Sequence, residues 1–190
     1  YSVLCIGCCG SNSSKYCYNG ESREEVMTRI GVLSDTHGYL DPRVLEHFAQ
    51  VDEIWHAGDI GNAMVLQHLR EFKPTRAVYG NMDSGDVRYS LSEFYRFRVE
   101  DVNVLMTHIG GYPGKYNPWL LPMFKKETPQ LFVCGHSHIL KVQYDPTWQM
   151  LTMNPGAAGK QGWHNVQTIL RFVVDGTEIR DLEVIELDWK

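Results

Sequence analysis

Cysteine is scarce where a core would use it. Of the five in this 190-residue chain, Cys5, Cys8, Cys9 and Cys17 fall in the first 17 positions and only Cys134 comes later. A disulfide framework through the body of the chain is thereby excluded, and a core without cysteine pairs fits a reducing, cytoplasmic setting. Positive charge is not in excess either: 18 Lys and Arg face 23 Asp and Glu, a formal charge of −5. Sequence-independent binding to DNA or RNA needs clustered cations that displace counterions, so the balance argues against a nucleic-acid partner. No stretch approaches the ~20 consecutive apolar residues of a membrane-spanning helix. Internal repeats and low-complexity tracts are missing as well.

What is present is an ordinary globular composition, 43% hydrophobic, at a length that favours one domain with one sizeable core. Residues 1–26 differ in kind. They hold four of the cysteines, the loop-like run Gly10-Ser11-Asn12-Ser13-Ser14 and the charged stretch Glu21-Ser22-Arg23-Glu24-Glu25. The three parts of a secretory signal are not clear in them. Their cysteine spacing admits a zinc knuckle or a disulfide pair, but no second Cys/His pair stands nearby at finger spacing. They read as a leader or upstream extension outside the fold, with residues 27–190 as the single domain.

From Met27 onward the first half repeats a short β-branched apolar run, a polar or glycine-rich turn and a helix-like stretch, which is βαβ punctuation. Ile30–Leu33, Glu53–Ala57 and Arg76–Tyr79 read as strands. Asp41 before Pro42 reads as an N-cap ahead of a helix of about two turns, and Met64 to Leu69 as a second amphipathic helix. Phe94–Val99 and Val102–Met106 flank the Glu100-Asp101 turn as a hairpin. A helix is expected around Pro118–Lys126 and a strand at Leu131–Cys134. Hairpin strands follow at Lys141–Tyr144, Met150–Met153, Val166–Val174 and Glu178–Leu187. The expectation is a mixed α/β fold in which a partly parallel sheet faces a second, mostly antiparallel one.

Five of these apolar strands stop at a residue able to bind a metal: Asp35 with His37, Asp59, Asn81, His108, and His136 with His138. Open α/β sheets place their sites at the carboxyl ends of strands, so residues far apart in sequence converge there. Two aspartates, one asparagine and four histidines exceed what one ion needs, which suggests two divalent ions sharing a bridging carboxylate. The mixture of N and O donors suits Mn, Fe or Zn better than Mg or Ca.

In order, Asp-x-His, Gly-Asp, Gly-Asn, a lone His before Gly-Gly and Gly-His-x-His resemble the calcineurin-like metallophosphoesterase superfamily. More narrowly, they look like its compact single-domain bacterial and archaeal branch, which shares its fold with a eukaryotic retromer subunit. That resemblance covers Met27 to the C-terminus and implies a two-sheet β-sandwich flanked by α-helices, the metallo-dependent phosphatase fold. It implies that Asp35, His37 and His138 hold one metal, that Asp59 bridges, and that Asn81, His108 and His136 hold the other, with manganese favoured. It casts Asp59, Asn81 and His108 as catalytic, and the reaction as in-line attack of a metal-bridging hydroxide on a small phosphodiester or phosphomonoester. A bound ion brings the pKa of water from about 15.7 to roughly 7, which makes that nucleophile available.

One departure stands out. Many members of the superfamily follow Gly-Asn with a His assigned to protonating the leaving oxygen, and here Met82 holds that place. Methionine cannot donate a proton, so substrates with good leaving groups are expected to turn over best. The same departure keeps a second reading in view: a weakly catalytic or non-catalytic interaction scaffold on this fold, as the retromer resemblance warns. Self-association into a homo-oligomer is compatible with the sequence. His56 and Asp83 stand beside candidate ligands, where orienting those ligands and plain packing are both open. His47 and His68 fall in helical patterns and read as packing or surface residues, and Cys134 as core. Asn154–Gly159 resembles a loop beside the family's site, although turn chemistry explains it equally well. Lys160, Trp163 and His164 just beyond it are candidates to meet substrate. Tyr112–Trp119 is expected to form a pocket wall or a protein contact.

Overall fold

The computed structural model describes residues 27–188. The expectation about residues 1–26, cysteine cluster included, lies outside them. The first half runs β1 (Met27–Leu33), α1 (Pro42–His47), β2 (Glu53–His56), α2 (Ala63–Phe72), β3 (Thr75–Ala77), α3 (Gly85–Ser90), β4 (Phe94–Val99) and β5 (Val102–Thr107). It continues through a short hairpin, β6 (Gly111–Tyr112) and β7 (Lys115–Tyr116), to a 3₁₀ turn at Pro118–Leu120 and α4 (Leu121–Lys126). The remainder is strand: β8 (Leu131–Val133), β9 (Leu140–Asp145), β10 (Met150–Pro155), β11 (Val166–Asp175) and β12 (Glu178–Asp188). Among the described residues no helix is long and apolar enough to cross a membrane.

Two five-stranded sheets form, in the orders β12-β11-β1-β2-β3 and β4-β5-β8-β10-β9. In the first, β1, β2 and β3 run parallel out to the β3 edge, with β11 and β12 antiparallel on the other side; in the second, β5, β8 and β10 run parallel between antiparallel β4 and β9. The second sheet is therefore mixed rather than mostly antiparallel. Its three-residue β8 is reached by a crossover through α4, which lets it pair in parallel on both sides.

Alternation along the strands sorts side chains into layers. Val32, Trp55, Val104, Met106, Val133, Leu170 and Phe172 fill the space between the sheets. Their neighbours Leu33, Ile54 and Ile169 point outward, against Val44, Phe48, Leu66 and Leu69 of α1 and α2. Leu105, Phe132 and the buried Cys134 cover the opposite outer face, against Leu120 and Phe124. Cys134 is thus a packing residue, its thiol pushed up to about 12 by burial. β1, β2, β5 and β8 are buried on both faces as they end, so polar residues collect just past their carboxyl ends.

α1 begins as expected: Asp41 caps it by accepting from the Arg43 N–H, with Pro42 at the first helical position. α3 was not anticipated. It is six residues long and buries only Val87, too little for a periodic signal.

Candidate metal centre

Residues just past the strand ends are laced together by main-chain bonds. The N–H of Asp35 donates to the Gly58 carbonyl (2.9 Å), that of His37 to Asp59 (2.9 Å) and that of Gly38 to Ile60 (2.7 Å), so the loops after β1 and β2 run on as a pair. Gly135 N–H reaches the His108 carbonyl at 3.0 Å and Gly159 N–H the Asp35 carbonyl at 3.0 Å, which adds the loops after β5, β8 and β10. Eight described non-glycine residues have positive φ, and five are Asp35, His37, Asp59, His136 and His138. That left-handed backbone is disfavoured for residues with a Cβ and is held only where surrounding bonds over-determine it.

Six of the seven candidate ligands gather into two triads. Asp35, His37 and His138 form one, Asp59, His108 and His136 the other, and within each triad the donor atoms all lie within 4.8 Å of one another. Asn81 lines a cavity of about 270 Å³ together with His108 and Gly80. Gly80 itself packs against Asp59, where a Cβ would overlap the carboxylate.

In three of the residues, one side of the polar group is fixed and the other left open. Asp35 Oδ2 accepts from the His136 N–H at 3.1 Å, while its buried Oδ1 has no hydrogen-bond partner. Asp59 Oδ1 accepts from the Met82 N–H at 2.8 Å. His108 Nδ1 lies 2.8 Å from the Ala57 carbonyl, an obligate acceptor, so Nδ1 carries the proton and the lone pair sits on Nε2. That buried Nε2 has no hydrogen-bond partner. It lies 3.1 Å from Asp59 Oδ2 and 3.9 Å from Asp35 Oδ1, close but unaligned. His138 Nε2 stands likewise 3.2 Å from Asp35 Oδ1 and 3.2 Å from His37 Nε2. Buried polar atoms are normally paired, and a cluster of lone pairs aimed at common points is what a coordinated cation would satisfy. The residues fit a metal.

The histidines titrate differently. Burial pushes His37 and His136 below the usual imidazole range. The Asp35 carboxylate raises His138. Burial alone would lower His108, but Asp59 and Asp35 outweigh it and raise its pKa. Asp59 moves down in turn, because His108 and the Met82 N–H overcome the cost of burying the carboxylate.

Both neighbours left open by the sequence are orienting groups. His56 is fully buried, accepts from the Gly58 N–H at Nδ1 and so donates from Nε2 to Thr36 Oγ1 at 2.9 Å. Burial takes its pKa to about 4, which keeps it neutral. Thr36 then donates to the Ile60 carbonyl. Asp83 accepts from the N–H groups of Ile60, Gly61 and Gly80, tying the loop after β2 to the turn after β3. Thr36 was missed by the sequence reading, although its place inside Asp-x-His was the available signal.

The Asn154 loop does lie at the site: Asn154 donates to the Gly135 carbonyl and accepts from the Gly156 N–H. The His164 ring stands 5.1 Å from that of His138. Trp163 is fully exposed, and the Lys160 ammonium lies over the Tyr39 ring. His68 is exposed and His47 half-buried, both apart from the centre. Met82 turns its side chain outward, 61% exposed, and contributes only its N–H.

Comparison with known proteins follows the geometry. Over 134 residues the chain is 30% identical to a probable metallophosphoesterase of Methanocaldococcus jannaschii, covering 67% of each protein. Its fold matches vacuolar protein sorting 29 of Cryptosporidium parvum with a TM-score of 0.67 at 16% identity, over 86% of this chain and 99% of that one. An archaeal phosphodiesterase matches with a TM-score of 0.64 at 23% identity, over 84% of this chain and 99% of that one. The family model of the calcineurin-like phosphoesterase superfamily domain spans residues 28–177. The chain belongs to the calcineurin-like phosphoesterase superfamily.

Proposed function

We propose that the protein is a dinuclear metal-dependent phosphoesterase, with residues 27–190 as its single domain, acting on a phosphodiester or phosphomonoester. The observation that carries this reading is the pairing of two donor triads around the buried, unpartnered Asp35 Oδ1 and His108 Nε2. Asp35, His37 and His138 would hold one ion and Asn81, His108 and His136 the other, with Asp59 shared between them. Two divalent ions, manganese by preference, would supply Lewis acidity toward the phosphoryl oxygens and a water-derived nucleophile at neutral pH. The buried free thiol of Cys134 accords with a reducing compartment, and we assign the cytoplasm.

The protein's own share is positioning. The Ala57 carbonyl fixes the His108 tautomer, and the His136 and Met82 N–H groups each hold one oxygen of Asp35 and Asp59 so that the other faces inward. Asn81 is a neutral donor and leaves the site's positive charge undiminished for an anionic ester. No side chain at position 82 can protonate the leaving oxygen, which favours esters of acidic alcohols and phenols. That same feature supports a second reading, a scaffold with little or no catalysis.

Elemental analysis of the purified protein, paired with hydrolysis of bis-aryl and mono-aryl phosphates in Mn²⁺, separates the two. About two metals per chain are expected, with turnover that Asp59→Asn or His108→Ala abolishes. A metal-loaded protein inert toward both esters would establish the scaffold.

A further inference from the structure

Beside His136 opens a second, larger cavity, of about 640 Å³, within the range of pockets that enclose a whole organic group. Ile109 lines both this cavity and the smaller one that holds Asn81 and His108, so the candidate centre sits between two unequal recesses. The large recess has a particular chemistry. The β6–β7 hairpin pairs Tyr112 directly across from Lys115, and Lys141 of β9 places its ammonium 4.2 Å from the centre of the Tyr112 ring. Both lysines line the recess, and no Asp or Glu lines it. No ion pair among the described residues involves either lysine. In a chain of net charge −5, two lysines in a recess whose lining holds no Asp or Glu, the nearby Asp145 being turned to the Tyr116 hydroxyl, are a local inversion of sign.

Resting on the phosphoesterase reading, we propose that this recess is a subsite for the part of the substrate that is not cleaved off. It would take an arm with a flat ring, stacked beside Tyr112, that bears a second anionic group bound by Lys115 and Lys141. The reacting phosphate lies toward His136, and the second anion lies outward at the lysines. The two lysines and Tyr112 are then specificity-determining residues. They act on the affinity for one class of arm and stand apart from the groups that activate phosphorus.

Three diesters sharing one 4-nitrophenyl leaving group test this: their second arm is phenyl, 4-carbamoylphenyl or 4-carboxyphenyl. With the Mn²⁺-loaded full chain, the ratio of kcat/KM for the carboxylate over the carbamoyl ester is expected to be roughly five- to tenfold, carried by KM and shrinking as salt is raised. Lys115→Ala and Lys141→Ala should each reduce that ratio, and the double variant should bring it to about one. Lys73→Ala, on the far end of α2, should leave it in place. Tyr112→Leu should raise KM for all three esters together. Turnover with a ratio near one in the unaltered protein, or a ratio indifferent to both lysines, overturns the subsite and leaves the phosphoesterase reading standing. No turnover of any ester by the metal-loaded chain overturns the phosphoesterase reading and the subsite with it.

Discussion

Gly58→Ala reaches the candidate centre without replacing any of the seven candidate ligands. Gly58 has φ +96°, and a Cβ built there would lie 2.6 Å from His108 Nδ1 and 2.7 Å from its Cβ and Cγ, against an ordinary contact of 3.4 Å. The substitution therefore meets two costs. A non-glycine residue at that φ is strained by about 1–3 kcal/mol, and crowding a packed interior adds about 1–3 kcal/mol. Relief requires the imidazole to retreat by about 0.8 Å, which stretches the bond from Nδ1 to the Ala57 carbonyl, now 2.8 Å, and swings Nε2 off its line. Misplacement of a reacting group on the order of 1 Å costs roughly a hundredfold in rate. The expected outcome is a folded protein destabilised by about 2–6 kcal/mol in urea melts, with weaker Mn²⁺ binding by calorimetry and aryl-ester turnover down about a hundredfold. A variant that melts within 0.5 kcal/mol of the parent, or that binds Mn²⁺ and turns over within threefold of it, would refute the claim that the Gly58 turn sets the His108 ring.

Three further outcomes are expected. Met82→His places an imidazole where the side chain is now 61% exposed; general acid catalysis contributes roughly 10²–10⁴-fold, so turnover of alkyl phosphates should rise relative to aryl phosphates, and a flat alkyl-to-aryl ratio contradicts this. Burial holds His56 near a pKa of about 4 against 6.5; the unfolded chain therefore binds a proton that the folded one refuses, so stability is complete above pH 6.5 and falls by up to about 3 kcal/mol by pH 4. Urea melts across that window should lose this slope in His56→Leu, which is less stable throughout. Asp35 raises His138, so a proton competes for that ligand above the ordinary imidazole range; Mn²⁺ affinity should climb from pH 6 to pH 8 and be accompanied by proton release, and an affinity flat over that range would argue against His138 as a ligand.

The candidate ligands were legible because strand ends are legible. β1, β2 and β5 each carry a short apolar stretch that runs into a Ser-Asp, Gly-Asp or His turn, and the pattern that locates the strand also locates the residues after it. The helix over Pro42–His47 was readable for a similar local reason, its Asp-Pro start. What escaped depends on contacts between distant segments. The parallel pairing of β8 with both β5 and β10 follows from where a three-residue strand lands, which its own composition does not encode. The β6–β7 hairpin has strands of two residues, below any periodicity, and only Pro113-Gly114 marks its turn.

The roles of Thr36 and Asp83 show the limit most clearly. Asp83 follows Gly80-Asn81-Met82 and would serve equally well, by sequence, as a ligand, a cap or a surface charge. Its assignment comes from the three N–H groups that converge on it, two of them from the loop after β2, more than twenty residues away. The bonds from Ile60 and Gly61 restrain the loop in which Asp59 is held at positive φ. The left-handed backbone at five candidate ligands is thus sustained largely by main-chain bonds and by Asp83, with one contribution from a candidate ligand, the Asp35 carboxylate that accepts the His136 N–H. The most disfavoured residues of the candidate centre are fixed by main-chain bonds and by Asp83, Thr36 and His56. Substitutions that keep all seven candidate ligands but loosen those bonds should therefore disturb the candidate centre nearly as much as removing one of them.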